Sequence, residues 1–162
     1  MGADNQQETL DSSWVVGFTD AEGCFYVGIN KMPKMSLGWQ VLPEFRIVQH
    51  ERDEELLKQI RDFFGFGDVR KNHGNRKDFR VRGLDNLEQV VEFFEDHQLR
   101  TKKQHDFEMF SQVIDMMRHG KHLERNGLDQ IAEIVSGMNE QTTPTYLKDS
   151  SETVRQATSD RG

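Results

Sequence analysis

The chain has 162 residues, 35% of them hydrophobic, a formal net charge of −7 and a single cysteine, Cys24. That length supports one domain with its own core, and a lone cysteine excludes an intramolecular disulfide and fits an intracellular, reducing compartment, bacterial cytoplasm or organelle. No apolar run approaches the roughly 20 residues of a membrane span, and residues 1–11 lack the basic-then-apolar layout of a signal peptide.

Taken alone, the negative charge opposes nucleic-acid binding, because phosphate contact needs a basic footprint. The charge is segregated, however. Residues 1–23 carry the acids Asp4, Glu8, Asp11, Asp20 and Glu22 and no Lys or Arg. Residues 66–82 carry Arg70, Lys71, Arg76, Lys77, Arg80 and Arg82 against Asp68 and Asp78. Residues 84–99 are again acidic, with Asp85, Glu88, Glu92, Glu95 and Asp96. A basic segment therefore lies between acidic ones.

Along the chain, Leu10, Trp14 and Phe18 recur at helical spacing. Asp11, Ser12 and Ser13 are suited to cap this first helix, and Gly23 to end it. In the next run Phe25, Val27 and Ile29 alternate with Tyr26, Gly28 and Asn30, the pattern of a half-buried strand. A turn around Pro33 and Lys34 leads to a second strand over 37–50, pairing with the first as a hairpin. Asp53 is placed to cap a helix whose apolar face is Leu56, Leu57, Ile60, Phe63 and Phe64. Residues 65–71 read as a third strand, and His73, Gly74 and Asn75 as a turn. Phe79 and Val81 alternate with Arg80 and Arg82 in a fourth strand. Three further helices are marked by Leu84 to Phe94, Phe107 to Met117 and Leu128 to Val135. The polar residues 140–162 are expected to form a loose tail, with a short helix near 151–157 or none. The expected class is α/β of the α+β kind: four antiparallel strands with helices on one face and a polar, open opposite face.

The first helix departs from local preference. Ser13, Gly17 and Ala21 form one stripe of small residues, which lets two helix backbones approach closely. Gly17 inside a helix costs about 1 kcal/mol relative to Ala. Asp20 and Glu22 lie at the negative end of the helix dipole, where each acid is disfavoured by about 0.3–1 kcal/mol. A cation reverses that sign, and carboxylates beside helix-end carbonyls make an oxygen site suited to Mg²⁺ or Ca²⁺. A surface helix ending in two solvated acids is the plain alternative. The six histidines show no spacing typical of zinc ligands.

The run VVGFTDAEG, Val15 to Gly23, resembles the LAGLIDADG motif of homing endonucleases. Gly17, Asp20, Ala21 and Gly23 match directly. Val15, Val16 and Phe18 are conservative departures, Thr19 a less typical one, and Glu22 stands for the second Asp. The phrases DAEGCFYV, ERDEELLKQIRDFFG, DFRV and KKQHDFEMF are similar to intron-encoded members, and residues 10–139 follow the family order αββαββα. The resemblance therefore implies one endonuclease domain over residues 1–139.

What the resemblance implies is a site-specific DNA endonuclease. Two motif helices pack together, each placing its last acid, here Glu22, in the active site, with the Ala21 carbonyl helping to hold a divalent metal. Asp20 is the weaker metal candidate, since its motif position more often has a structural, helix-capping role. One motif per chain implies a homodimer with Ser13, Gly17 and Ala21 at its interface, a near-palindromic site and one cut per strand. Mg²⁺ is expected to support cutting and Ca²⁺ binding only. Gln49 is expected to orient water, although by strict alternation it shares a face with Phe45 and Ile47. Lys103, or Lys102 one residue earlier, is expected to stabilise transition-state charge. The opposed sheets would form a saddle reading the major groove. By strand parity its reading surface is Tyr26, Gly28, Asn30, Gln40, Arg46, Arg70, Asn72, Arg80 and Arg82, with Asn75, Arg76 and Lys77 in the turn and Lys77 suited to phosphate. The implied partners are double-stranded DNA and a second copy of the chain, not a membrane or a small-molecule substrate. An RNA-splicing maturase or non-cleaving DNA-binding protein of the same fold is the alternative function. Another is that the chain is half of a two-motif enzyme.

Overall fold

The computed structural model describes residues 9–138 and 146–147, so the short helix expected near 151–157 lies outside the described residues. The elements run α1 (Ser12–Glu22), β1 (Gly23–Lys31), β2 (Trp39–His50), α2 (Glu54–Phe64), β3 (Asp68–Lys71), β4 (Arg76–Val81), α3 (Leu84–Asp96), α4 (Lys103–Arg118) and α5 (Arg125–Ser136). The strands form one sheet in the order β1-β2-β4-β3, with β2 and β4 in the middle. The expected αββαββα succession is present, followed by the two further helices. No helix of the described residues is long and apolar enough to cross a membrane.

Local chemistry accounts for most element ends. The Asp11 side chain accepts from the Ser13 amide at 2.7 Å, capping α1. Gly65 ends α2 with φ +85°, a left-handed geometry that favours glycine. Three boundaries differ from the sequence reading. Asp53 stands at the start of α2 but makes no side-chain cap hydrogen bond, because a 3₁₀ turn over Glu51–Asp53 already leads into the helix. The third strand is only Asp68–Lys71, since Gly65 and Gly67 both adopt positive φ. The turn after it is tighter than expected: the Asn72 amide donates to the Arg76 carbonyl at 2.8 Å, so Arg76 and Lys77 belong to β4.

Contacts group the chain into two compact units, Met1–Cys24 with Glu44–Gln104, and Phe25–Pro43 with His105–Gly162. In the first unit, β2 and β4 pair antiparallel from Phe45↔Val81 to His50↔Arg76, and β3 pairs β4 from Asp68↔Arg80 to Lys71↔Lys77. Pro43 lies before the first of these β2–β4 pairs, so its missing N–H breaks no bond of that register. Side chains alternate as a pleated sheet requires. Phe45, Ile47, Phe79 and Val81 are fully buried with Leu57, Ile60, Leu87, Val90 and Phe94. Phe45 belongs to an aromatic cluster, meeting Phe64, Phe79 and Phe94 edge-on at centroid distances of 6.0, 6.2 and 5.7 Å.

In the second unit, Phe25 packs on Phe107 and Phe110, each at 5.4 Å between centroids. Val113, Leu128 and Ile131 are buried in the same unit. Tyr146 is also buried. It meets Trp39 edge-on at 5.2 Å and donates its hydroxyl to Asp129, so this tail residue is anchored.

Phe45→Ala should cost about 3–5 kcal/mol, because truncating a fully buried ring loses its transfer free energy and leaves a cavity. Urea unfolding monitored by circular dichroism measures it; a loss below about 1 kcal/mol would mean the cluster does not carry the unit's core.

Candidate active site and nucleic-acid interface

The end of α1 is built around a clamp. Asp20 accepts from the Arg100 amide at 2.8 Å, the Thr101 amide at 3.1 Å and the Thr101 hydroxyl at 2.8 Å. The Thr101 hydroxyl oxygen in turn accepts from the Lys103 amide at 3.2 Å, at the first residue of α4. Burial pushes the Asp20 carboxyl up, but the Arg100 amide, the two Thr101 donors and the Lys103 charge outweigh it and hold it below the ordinary carboxylate value. Both Asp20 oxygens are engaged in this clamp, Oδ1 by the two Thr101 donors and Oδ2 by the Arg100 amide.

Gly23 closes α1 by close approach. Its backbone is extended at φ −79°, its amide donates to the Thr19 carbonyl, and a Cβ there would meet the Thr19 methyl at 2.6 Å. The Lys103 ammonium donates to the Gly23 carbonyl. Lys103 therefore lies beside the residue that follows Glu22, whereas Lys102 is exposed. Glu22 is exposed at the end of the same helix. An exposed carboxylate next to helix-end carbonyls is a hard oxygen donor set, and it fits Mg²⁺ or Ca²⁺. Among the described residues no group of three or more His, Cys, Asp and Glu side chains is placed to hold a metal. A cation at Glu22 would draw its remaining oxygens from outside this group.

Gln49 pairs with Lys77 in an unbroken register, so no bulge turns it. It stays half-buried at the end of β2, on the parity of Phe45 and Ile47. Lys77 shares that parity on β4 and forms an ion pair with Glu54 of α2 at 3.5 Å, with its side chain 26% exposed. The phosphate contact expected of Lys77 is not favoured by this position.

The opposite face of β2, β3 and β4 in the first unit is charged. Arg46 lies across from Arg80, and Arg70 across from Asp78. Two acids that sequence reasoning passed over are buried among these cations. Glu44, 4% exposed, lies 3.1 Å from Arg82, 3.6 Å from Arg46 and 3.9 Å from Arg80. Asp78, 6% exposed, accepts from the Asn72 side-chain amide at 3.0 Å through one oxygen. An open, polar cavity of about 310 Å³ lies on this face, bordered by Glu44, Arg46, Arg70, Asp78, Arg80 and Arg82 among others. The signal for both acids was in the alternation: Glu44 has the parity of Arg46, and Asp78 that of Arg80.

Asn75 and Arg76 are exposed at the end of this face, and the Asn75 side-chain nitrogen lies 3.1 Å from His50 Nε2. In the second unit, Tyr26 and Asn30 are exposed on β1 and Gln40 is half-exposed on β2. Gly28 is buried between them: a Cβ there would lie 3.2 Å from the Tyr26 ring and 3.4 Å from the Asn30 amide nitrogen. It offers no surface of its own.

On α1, Ser13, Gly17 and Ala21 are exposed, and a Cβ on Gly17 would meet nothing within 4 Å. Trp14, 41% exposed, stacks on Phe18 at 4.9 Å and 11°.

The chain matches the family model described as LAGLIDADG endonuclease over residues 15–114. It is 50% identical to the homing endonuclease I-TnaI, whose crystal structure superposes with a TM-score of 0.83 over 90% of this chain and 98% of that one. I-SmaMI, solved on an uncleaved DNA target in the presence of calcium ions, is 31% identical with a TM-score of 0.80 over 82% of this chain and 46% of that one. A probable intron-encoded endonuclease of Neurospora crassa is 36% identical over 133 residues, 80% of this chain. The chain spans 29% of that relative's length.

Asp20→Asn should flatten the acid side of the stability–pH curve. A carboxyl held low in the folded state contributes stability that is present above its unfolded value, near 3.8, and is lost as pH falls through the lower folded value. Thermal melts from pH 6 to 2 should show the wild type losing that contribution and the Asn variant lacking it; parallel curves would mean that the clamp does not stabilise the fold.

Proposed function

The chain belongs to the LAGLIDADG endonuclease family, and we propose that it supplies one half of a site-specific DNA double-strand endonuclease. The observation that carries this reading is Glu22, exposed at the end of a clamped helix, one residue from the carbonyl that receives the Lys103 ammonium. A divalent cation, Mg²⁺ for cutting, would be held by Glu22 and the Ala21 carbonyl and when bound supplies Lewis-acid polarisation and an activated water. Asp20 keeps α1 in place, so that Glu22 is presented on a fixed backbone. Lys103 opposes the charge that develops on the phosphate, its ammonium placed by the hydrogen bond it donates to the Gly23 carbonyl. Gln49 orients water from the end of β2. Tyr26, Asn30, Gln40, Arg46, Arg70, Asn72, Asn75, Arg76, Arg80 and Arg82 face the duplex, with Arg suited to guanine and Asn or Gln to adenine.

One acid per chain serves one strand, so each double-strand cut needs two motif helices. A homodimer on a near-palindromic site provides them. Gly17 costs helix stability, and among the described residues nothing would meet a Cβ there, which leaves room for a second helix backbone to approach. The greater length of the curated relatives favours a second arrangement, in which another motif in one longer chain takes the partner's place.

Glu22→Gln should bind duplex DNA like the wild type and lose cutting by at least about 10²-fold, a loss typical of removing a key electrostatic group. Binding and Mg²⁺-dependent cleavage of a randomised duplex library measure both; wild-type cutting by the Gln variant would remove Glu22 from the site. A wild type that binds but never cuts would instead be a maturase-like or non-cleaving DNA-binding protein.

Gly17→Leu should separate the helices and abolish dimer and cleavage together. Sedimentation of the wild type at micromolar concentration without DNA is the control: a monomer there would refute the homodimer.

A further inference from the structure

We propose that Glu44 is a positioning residue for DNA recognition, holding the Arg82, Arg80 and Arg46 side chains in fixed places and trading general phosphate affinity for base discrimination. This rests on the reading of the charged sheet face as a DNA surface.

A carboxylate that is 4% exposed needs partners, because an unpaired buried charge is prohibitively costly. Glu44 finds three: Arg46 on β2, Arg80 on β4, and Arg82, the residue that follows β4. The partners differ in burial: the side chains of Arg80, Arg46 and Arg82 are 17%, 33% and 41% exposed. The acid is sunk and the guanidiniums rise progressively from it. The Arg82 contact is a hydrogen bond from Nε to Oε2. A guanidinium has five N–H donors, so engaging Nε leaves the four on its two terminal nitrogens, enough for a bidentate contact to guanine O6 and N7.

Two consequences follow. A tethered arginine loses less rotamer freedom on binding a base than a free one, so the correct contact costs less to form. The carboxylate also removes one positive charge from the face, so fewer counterions are released by any duplex, whatever its sequence. Without the tether, an arginine can follow the nearest phosphate, and every sequence provides phosphates.

The test compares wild type, Glu44→Gln and Glu44→Asp by selecting a randomised duplex library for binding. Affinity for the selected site, its single-base variants and an unrelated duplex is then measured across a salt series, with melting temperatures taken in parallel. For Glu44→Gln we expect tighter binding to the unrelated duplex and a salt dependence steeper by about one unit of slope. Discrimination should fall about tenfold at one or two positions per half-site, within the range that one bidentate contact supplies. Glu44→Asp keeps the charge but withdraws it by one methylene. It should keep the wild-type salt slope and still lose discrimination, so it tests the tether even if the Gln variant fails to fold. Unchanged base preference in either folded variant overturns the proposal. So does weaker binding to all sequences in parallel with a large fall in melting temperature, the behaviour of a merely structural acid. A wild type with no duplex binding or a flat salt response overturns the DNA reading itself, which separates the two failures.

Discussion

A carboxylate in the last turn of a helix faces the negative end of the backbone dipole, and Asp20 remains there because three donors from the α3–α4 connection converge on it. The rest of the candidate active site hangs on this contact. It ties residue 20 to residues 100 and 101, far apart in sequence, and so fixes where α1 ends against the start of α4. Once that end is fixed, the Thr101 hydroxyl meets the Lys103 amide, and the Lys103 ammonium reaches the Gly23 carbonyl. Gly23 allows the turn into β1 because no Cβ stands in the way of Thr19. Glu22 needs no partner of its own to be placed: its backbone is held on both sides by these contacts.

The negative chain and the basic sheet face are compatible because charge is sorted by element. The acids of α3 and the N-terminal region lie in segments with no lysine or arginine over residues 84–99 and 1–23. The cations collect on β3 and β4 and on Arg46 of β2, where pairing sets Arg46 beside Arg80 and Arg70 beside Asp78. At such spacing like charges would repel across the strands. Glu44 and Asp78 supply the opposite sign inside the face, in places that solvent ions barely reach. A cluster of arginines can persist on one sheet surface only with such internal compensation or with a polyanion above it.

Most elements were legible in the sequence because their apolar residues recur at the period of the element that buries them. Phe45, Ile47, Phe79 and Val81 alternate, and all four are fully buried. Boundaries were less legible where a turn competed with a propensity. Asp53 looks like a helix cap, but the 3₁₀ turn before α2 leaves it without a cap bond. Arg76 and Lys77 look like turn residues, but the Asn72–Arg76 backbone bond closes the turn over His73, Gly74 and Asn75 and leaves both in β4. Around the active site, the motif already set Glu22 apart from Asp20, but the donors that engage Asp20 lie 80 residues away and had no local signal. The sequence carried both lysines with Lys103 ahead, and the contact of Lys103 with Gly23 had no sequence signal. Glu44 and Asp78 were missed for another reason: they share the parity of Arg46 and Arg80, but an acid on an open face reads as solvated unless the neighbouring strands are known.

Four acids of one chain thus meet four fates, decided by the donors that surround each. Asp11 accepts one amide and starts a helix. Asp20 accepts three donors and ties α1 to the α3–α4 connection, which lowers its proton affinity. Glu44 is sunk among guanidiniums and has no exposed oxygen to offer a cation. Glu22, exposed like Asp11, differs in standing at the helix end where its charge is unfavourable. A fold that engages its other strategically placed acids and leaves this one exposed has kept a carboxylate at a local energetic cost. Under the proposed function that cost is recovered by a bound cation, and the helix penalty of Gly17 by the approach of a second backbone. The two uncompensated positions lie on one helix, which is why binding a cation and acquiring a partner helix belong to the same functional proposal.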